Sequence, residues 1–254
     1  MRSTLVMAAL ALAAPAFSQD TGTLKARIVF GGGVIEPAKI TPNTDVAFCG
    51  QHELFNERLL VNAENKGIRN TVLYVHTGRG GSTLPPQEPP QATHELANEN
   101  CRFEPRVVAL QAGDTLKVTN PDEVTHNANI SFFANGAMNV TVAPKGEKAV
   151  LVEKPEPAVI PVECNIHPWM KGFVVVLDHP FVGISDENGE IEISDLPPGK
   201  LVFRLWNEAA TGAIRQITIG DEEVSLRRNA LELEIKPGMN DLGTITIAAD
   251  ALQP

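Results

Sequence analysis

The sequence predicts an all-β protein, on two observations. After about position 22 the chain breaks into short runs rich in Val, Ile, Leu, Phe and Thr, each bounded by Gly, Pro, Asn or Asp. Helical signals are nearly absent: only "HELFNERLLVNAEN" (52–65) and "QATHELANEN" (91–100) could hold a helical turn or short helix. A chain of 254 residues can bury one large β core or two small ones.

Taken in order, residues 1–18 read as a signal peptide. Arg2 precedes an uncharged apolar stretch, and small residues around Ala16 and Ser18 place cleavage before Gln19. The apolar run is short for a permanent span, which leaves an uncleaved anchor as the alternative. Residues 22–76 form an N-terminal β segment carrying "LKARIVF" and "RNTVLYVHT". The stretch "TGRGGSTLPPQEPPQ" opens a Gly/Pro-rich linker over 77–98. Residues 99–180 hold "RVVALQ", "TLKVTN", "MNVTVAP", "KAVLVEK", "AVIPVEC" and "GFVVVLD" as strands of a second β unit. Residues 181–250 continue with "EIEIS", "KLVFRLWN", "IRQITIG", "LELEIK" and "GTITIA", and Asn188–Gly189 suits the tight turn of a hairpin. "SDENGE" resembles part of a calcium loop but lacks the full acidic spacing. Segments 22–76 and 181–250 each look like half a domain, so they either pair or pack separately.

The net charge is −10, and loss of residues 1–18 removes one base and no acid. Such a surface repels nucleic acid and either favours cationic partners or simply confers solubility. Of three cysteines in an oxidising compartment, one is left over if two are bridged.

"CNIHPWM" spaces Cys164, His167 and Met170 three residues apart, directly before a run of valines. Fully extended, this segment would span about 20 Å, so it must fold back to aim three side chains at one ion. Pro168 suits such a compact loop. The candidate fourth ligand is His126 in "NPDEVTHNANISFF", placed by a strand-to-strand loop. Two imidazoles, a thiolate and a weak thioether match the trigonal donor set of mononuclear blue copper. Zinc fits less well, because methionine is a poor zinc ligand. Separately, each residue has an ordinary reading: Met170 as packing, Cys164 as a small buried hydrophobe, His126 as a solvated loop residue.

"CNIHPWMKGFVVVLD" resembles the ligand loop of the cupredoxins, most closely that of amicyanin and plastocyanin-like proteins, and "THNANISFF" is similar to the family's His-Asn pair. The resemblance implies a Greek-key β-sandwich holding one copper ion that cycles between Cu(I) and Cu(II), with ligands His126, Cys164, His167 and Met170. It also implies that Asn127 ties the two ligand loops together and that Pro168 supports them. It covers about residues 99–178. The longer pattern through "DHPFVGISDENGEIEISDLPPGKLVFRLWNE" is similar to exported proteins labelled methylamine-utilisation or plastocyanin-like, which join a cupredoxin to a carboxypeptidase-regulatory-like, transthyretin-like β-sandwich. Asn207 departs from the histidine expected there, and no ligand is drawn from it.

With Cys164 taken as a ligand, Cys49 and Cys101 become the expected disulfide, two separate buried thiols being the alternative. His52, His76, His94 and His179 show no partnered spacing, and no His-x-His occurs. Copper oxidases and nitrite reductases need such extra histidines, so the expectation is a carrier and not an enzyme. Electrons would pass through an exposed edge of His167, ringed by Pro168 and Trp169, to a redox protein such as a c-type cytochrome or a dehydrogenase, in the periplasm or outside the cell. A copper carrier or store, and a cell-surface module with structural copper, are the competing expectations.

Overall fold

The structure is a computed structural model that describes residues 20–88 and 91–254. The expected signal segment, residues 1–18, lies outside them. The first third of the chain contains β1 (Gly22–Phe30), a four-residue helix α1 (Val46–Cys49) and β2 (Val72–Val75). Next come β3 (Thr93–Glu99), β4 (Arg102–Glu104), β5 (Val107–Gln111), β6 (Thr115–Thr119), β7 (His126–Ile130), β8 (Met138–Val142), β9 (Glu147–Leu151), β10 (Ile160–Glu163) and β11 (Lys171–Leu177). The last third carries β12 (Val182–Ile184), β13 (Glu190–Leu196), β14 (Gly199–Trp206), β15 (Gln216–Ile219), β16 (Glu222–Ser225), β17 (Ala230–Ile235) and β18 (Gly238–Ile247).

These strands form four sheets, stacked as two sandwiches. Strands β3 to β11 make one, with sheets ordered β4-β3-β6-β9 and β5-β11-β10-β7-β8. The other has sheets β12-β2-β14-β17 and β13-β1-β18-β15-β16. In the second, β1 runs antiparallel to β13 and parallel to β18, while β2 lies between β12 and β14. The first sandwich is therefore a single stretch of chain inserted between two parts of the second.

The sequence pattern explains the layering. Strand β6, "TLKVT", alternates, and Leu116 and Val118 point inward while Thr and Lys face out. Strand β11, "KGFVVVL", does not alternate, because both its faces are covered. Val174 and Val176 join the core of the first sandwich, whereas Phe173, Val175 and Leu177 form an apolar layer with Val72 and Tyr74 of β2. Strand β2 is apolar throughout for the same reason, since Leu73 and Val75 point into the other core. Arg106 reinforces the seam. Its guanidinium meets Glu208 at 2.7 and 3.0 Å and Glu57 at 3.2 Å.

Three expectations change here. Residues 93–98, placed in the linker, belong to β3, which pairs parallel with β6 and antiparallel with β4. Of the two stretches that could hold a helical turn or short helix, 52–65 has only a turn near its end, closed by the Lys66 N–H on the Asn62 carbonyl at 2.8 Å, and 91–100 is mostly strand; α1 lies just before the first of them. Asn188–Gly189 does reverse the chain, but not as a hairpin: β12 pairs with β2 and β13 with β1, so the turn crosses between sheets. Asp186 shapes it by accepting the backbone N–H groups of Asn188 and Glu190, each at 2.8 Å. Gly189 is required there, because its φ is +79° and a Cβ would run into the Ile28 carbonyl oxygen. The functional consequence of the fold lies in the irregular chain between β1 and β2, which crosses one end of the first sandwich.

Candidate metal centre

Strands β10 and β11 are antiparallel neighbours, with Glu163 opposite Lys171. Cys164 and Met170 are thus the first residues past the last pair of a hairpin, and His167 stands at its tip. The loop is closed by the Met170 N–H on the His167 carbonyl (2.9 Å) and by the Cys164 N–H on the Met170 carbonyl (3.3 Å). Pairing of β7 with β10, Glu163 opposite Asn129, brings the start of β7 alongside. His126 and Asn127 sit there. The Asn127 Oδ1 accepts the Asn165 N–H at 2.8 Å and lies 3.4 Å from the Cys164 sulfur, while its amide donates to Asn139. This side chain joins the segments that carry His126 and Cys164.

His126, Cys164 and His167 converge: one ligand atom from each lies within 4.8 Å of the others, and all three residues are buried. The two Nδ1 atoms are 2.9 Å apart, and the sulfur is 3.7 Å from the His167 Nδ1. Met170 is buried in the same core cluster as Cys164. Each imidazole turns its other nitrogen to a carboxylate, His126 Nε2 to Asp122 (2.9 Å) and His167 Nε2 to Asp45 (3.0 Å). Because Nε2 donates in both, the neutral rings carry bare Nδ1 lone pairs that face each other. Lone pairs at that distance repel unless a cation, a proton or a metal ion, lies between them.

Charge in the cluster follows from its contacts. Burial alone would raise the Cys164 thiol, but its contacts with the His126 and His167 imidazoles outweigh it and hold the pKa at about 5. Burial would likewise lower His126, yet the hydrogen bonds to Asp122 and Cys164 leave it above its ordinary value. Asp122 is held low: burial opposes ionisation, but the His126 contact and the backbone N–H groups of Cys101 and Asn100 prevail. A thiolate and two oriented imidazoles, with a buried thioether in the same cluster, fit a soft, redox-active metal such as copper.

Of the expected site residues, His126, Cys164 and His167 come together, with Asn127 beside them. The expected outlet does not form. His167 has no exposed surface, because Asp45 covers its edge. Pro168 is exposed. Trp169 is half-buried, its ring centroid 5.1 Å from that of His167 and its Nε1–H donated to the Cys101 carbonyl at 3.0 Å. Cys49 and Cys101 form a disulfide with a Cα separation of 5.6 Å, surrounded by Ile40, Phe48, Leu54 and Trp169. Sequence reasoning passed over Asp122 and Asp45. Asp122 lies four residues before His126 but looks like any turn aspartate, and Asp45 is 122 residues from its partner. Asn207 is a structural residue, donating to Thr71 and accepting the Ala209 N–H, both at 2.9 Å.

No family model and no curated protein matches the chain. Among solved structures it is similar to a mutant of amicyanin in the Cu(I) state, at 18% identity over 32% of this chain and 79% of that one, TM-score 0.29. It is similar to a purple cupredoxin from Nitrosopumilus maritimus at 23% identity, over 34% and 98% of the two chains, TM-score 0.28. It is also similar to a copper-containing nitrite reductase from Thermus scotoductus at 19% identity, over 41% and 25%, TM-score 0.31. At these scores the likeness assigns no ligand and no activity.

Proposed function

We propose that this chain is an exported mononuclear copper protein that carries single electrons. The observation that supports it most is the convergence of a low-pKa thiolate and two oriented imidazole Nδ1 atoms inside a rigid β-sandwich. Copper held by these residues would supply one-electron chemistry between Cu(I) and Cu(II). The protein's part is to fix the geometry. Cys164 and Met170 are held by the hairpin that closes on itself, His126 by β7, and both rings by carboxylates behind them. A donor set locked from several sides resists rearrangement when the charge of the ion changes, and small rearrangement is the requirement for fast electron exchange. Met170, buried in the same cluster, would supply a weak thioether donor. The signal-like residues 1–18 support export, and among the described residues no helix is long and apolar enough to cross a membrane. The acidic surface favours a cationic redox partner, such as a c-type cytochrome.

One observation favours a second reading. Both imidazoles are sealed from solvent, which also suits a carrier or store that holds copper without turnover. Voltammetry of the copper-loaded protein separates the two. A carrier gives a reversible one-electron wave and exchanges electrons with a cytochrome c in stopped flow. A store gives an irreversible wave, or none, and retains Cu(I) against a chelator.

A further inference from the structure

The segment between β1 and β2 is fastened over the ligand hairpin at several points. The Cys49–Cys101 disulfide ties it to the first sandwich, and Glu57 reaches Arg106 and Arg102, each at 3.2 Å, while within the segment the Ile40 N–H pairs with the Leu54 carbonyl at 2.8 Å. At the N-terminus of its short helix stands Asp45. Aspartate is a preferred helix N-cap, its carboxylate accepting backbone N–H groups. Asp45 makes no such side-chain bond; its backbone carbonyl alone receives the Phe48 and Cys49 N–H groups, both at 2.9 Å. The carboxylate turns the other way, to His167 Nε2 at 3.0 Å. Its backbone is left-handed, φ 46° and ψ 39°, an unusual conformation that aims the side chain there. The side chain is 40% exposed, whereas the ring beneath it is fully buried. Asp122 plays the matching part behind His126 but is itself buried, so Asp45 is the carboxylate of the pair that faces solvent.

We propose that Asp45 is a positioning residue of the copper centre, lent to it by the N-terminal segment. It accepts the Nε2–H of His167, holds Nδ1 toward Cys164, closes the edge of the ring, and biases the bound ion toward Cu(II). The bias follows from charge: a carboxylate one imidazole away stabilises the dipositive ion more than the monopositive one. The closure means that an outside partner meets the Asp45 cap and not a bare imidazole. The redox part of this inference rests on the copper reading above, whereas the carboxylate–imidazole contact can be read without metal.

Two variants separate the roles. Asp45→Asn keeps an acceptor for Nε2–H, removes the charge, and tolerates the left-handed backbone. Asp45→Gly removes acceptor and charge and relieves that backbone, so neither variant threatens the fold. The metal-free, histidine-nitrogen-labelled protein is examined first by NMR. The expected wild-type result is the Nε2–H tautomer at His167 with a slowly exchanging proton, and mixed tautomers with fast exchange in Asp45→Gly. In copper-loaded protein, Asp45→Asn is expected to shift the preference toward Cu(I) at least tenfold, about 59 mV for a one-electron couple. Asp45→Gly is expected to show the same shift with faster exchange with external reductants. A wild-type Nδ1–H tautomer at His167, or a potential unmoved by both variants, overturns the proposal while leaving the copper reading standing. Wild-type protein that takes up no copper through Cys164 sinks both.

Discussion

Removing the Cys49–Cys101 bridge is the perturbation whose effect follows most directly from the chain. The bridged residues are 52 apart in sequence, and both are fully buried. Cross-linking a loop of that length removes about 14 cal/mol/K from the unfolded ensemble, or about 4 kcal/mol at 25 °C. The double variant Cys49→Ala/Cys101→Ala should therefore lose about 4 kcal/mol of unfolding free energy, with a modest further loss from the small cluster around Leu54 and Phe48. The assay is urea denaturation of the metal-free protein, followed by tryptophan fluorescence, since Trp169 packs against the bridge and Trp206 lies in the layer between the sandwiches. Amide exchange in residues 36–57 should speed up selectively, because that segment has few other backbone pairings. A loss below about 1 kcal/mol, with exchange in 36–57 unchanged, would mean the segment is held by its other contacts and the bridge is incidental.

Other outcomes follow from single side chains. Asp122→Ala strands the part-buried N–H of Asn100, the buried N–H of Cys101 and the Nε2–H of His126, and should cost about 3 kcal/mol or more in thermal melts, with Asp122→Asn costing less. Arg106→Met leaves Glu208 without its guanidinium partner and Glu57 with Arg102 alone, and should destabilise by about 3 kcal/mol, read as a lower urea midpoint. His179 gives a pH dependence. Burial holds its pKa below the ordinary value, with Asp178 pulling weakly the other way, and the neutral ring donates Nε2–H to Val75 and accepts the Phe181 N–H on Nδ1. The unfolded chain therefore takes up this proton first, so stability falls as pH drops below about 6.5 and levels off below the folded value. His179→Gln should flatten the stability profile between pH 7 and 5; an unchanged slope would mean the ring is free to protonate in place.

What could be read from the sequence was local. Cys164 and His167 lie three residues apart between two strand signals, so their convergence needed only a hairpin. Strand β11 announced its depth through an unbroken apolar run. Other features are set by partners far away along the chain. Strand β3, "THELANE", carries a single large apolar residue, Leu96, and becomes a strand because β4 and β6 flank it. Asn188–Gly189 specified a reversal but not that its two arms belong to different sheets. The sealed edge of His167 was invisible, because Asp45 arrives from an irregular segment whose path is fixed by a disulfide and scattered backbone contacts, none of which leaves a periodic trace.

The measurement that bears most directly on the proposed copper centre is the visible and electron-spin-resonance spectrum of the purified protein with Cu(II), alongside Cys164→Ser. The centre described here predicts an intense thiolate-to-copper charge-transfer band and a narrow copper hyperfine splitting, both abolished by Cys164→Ser. A pale spectrum with ordinary splitting, the same in both proteins, would contradict it.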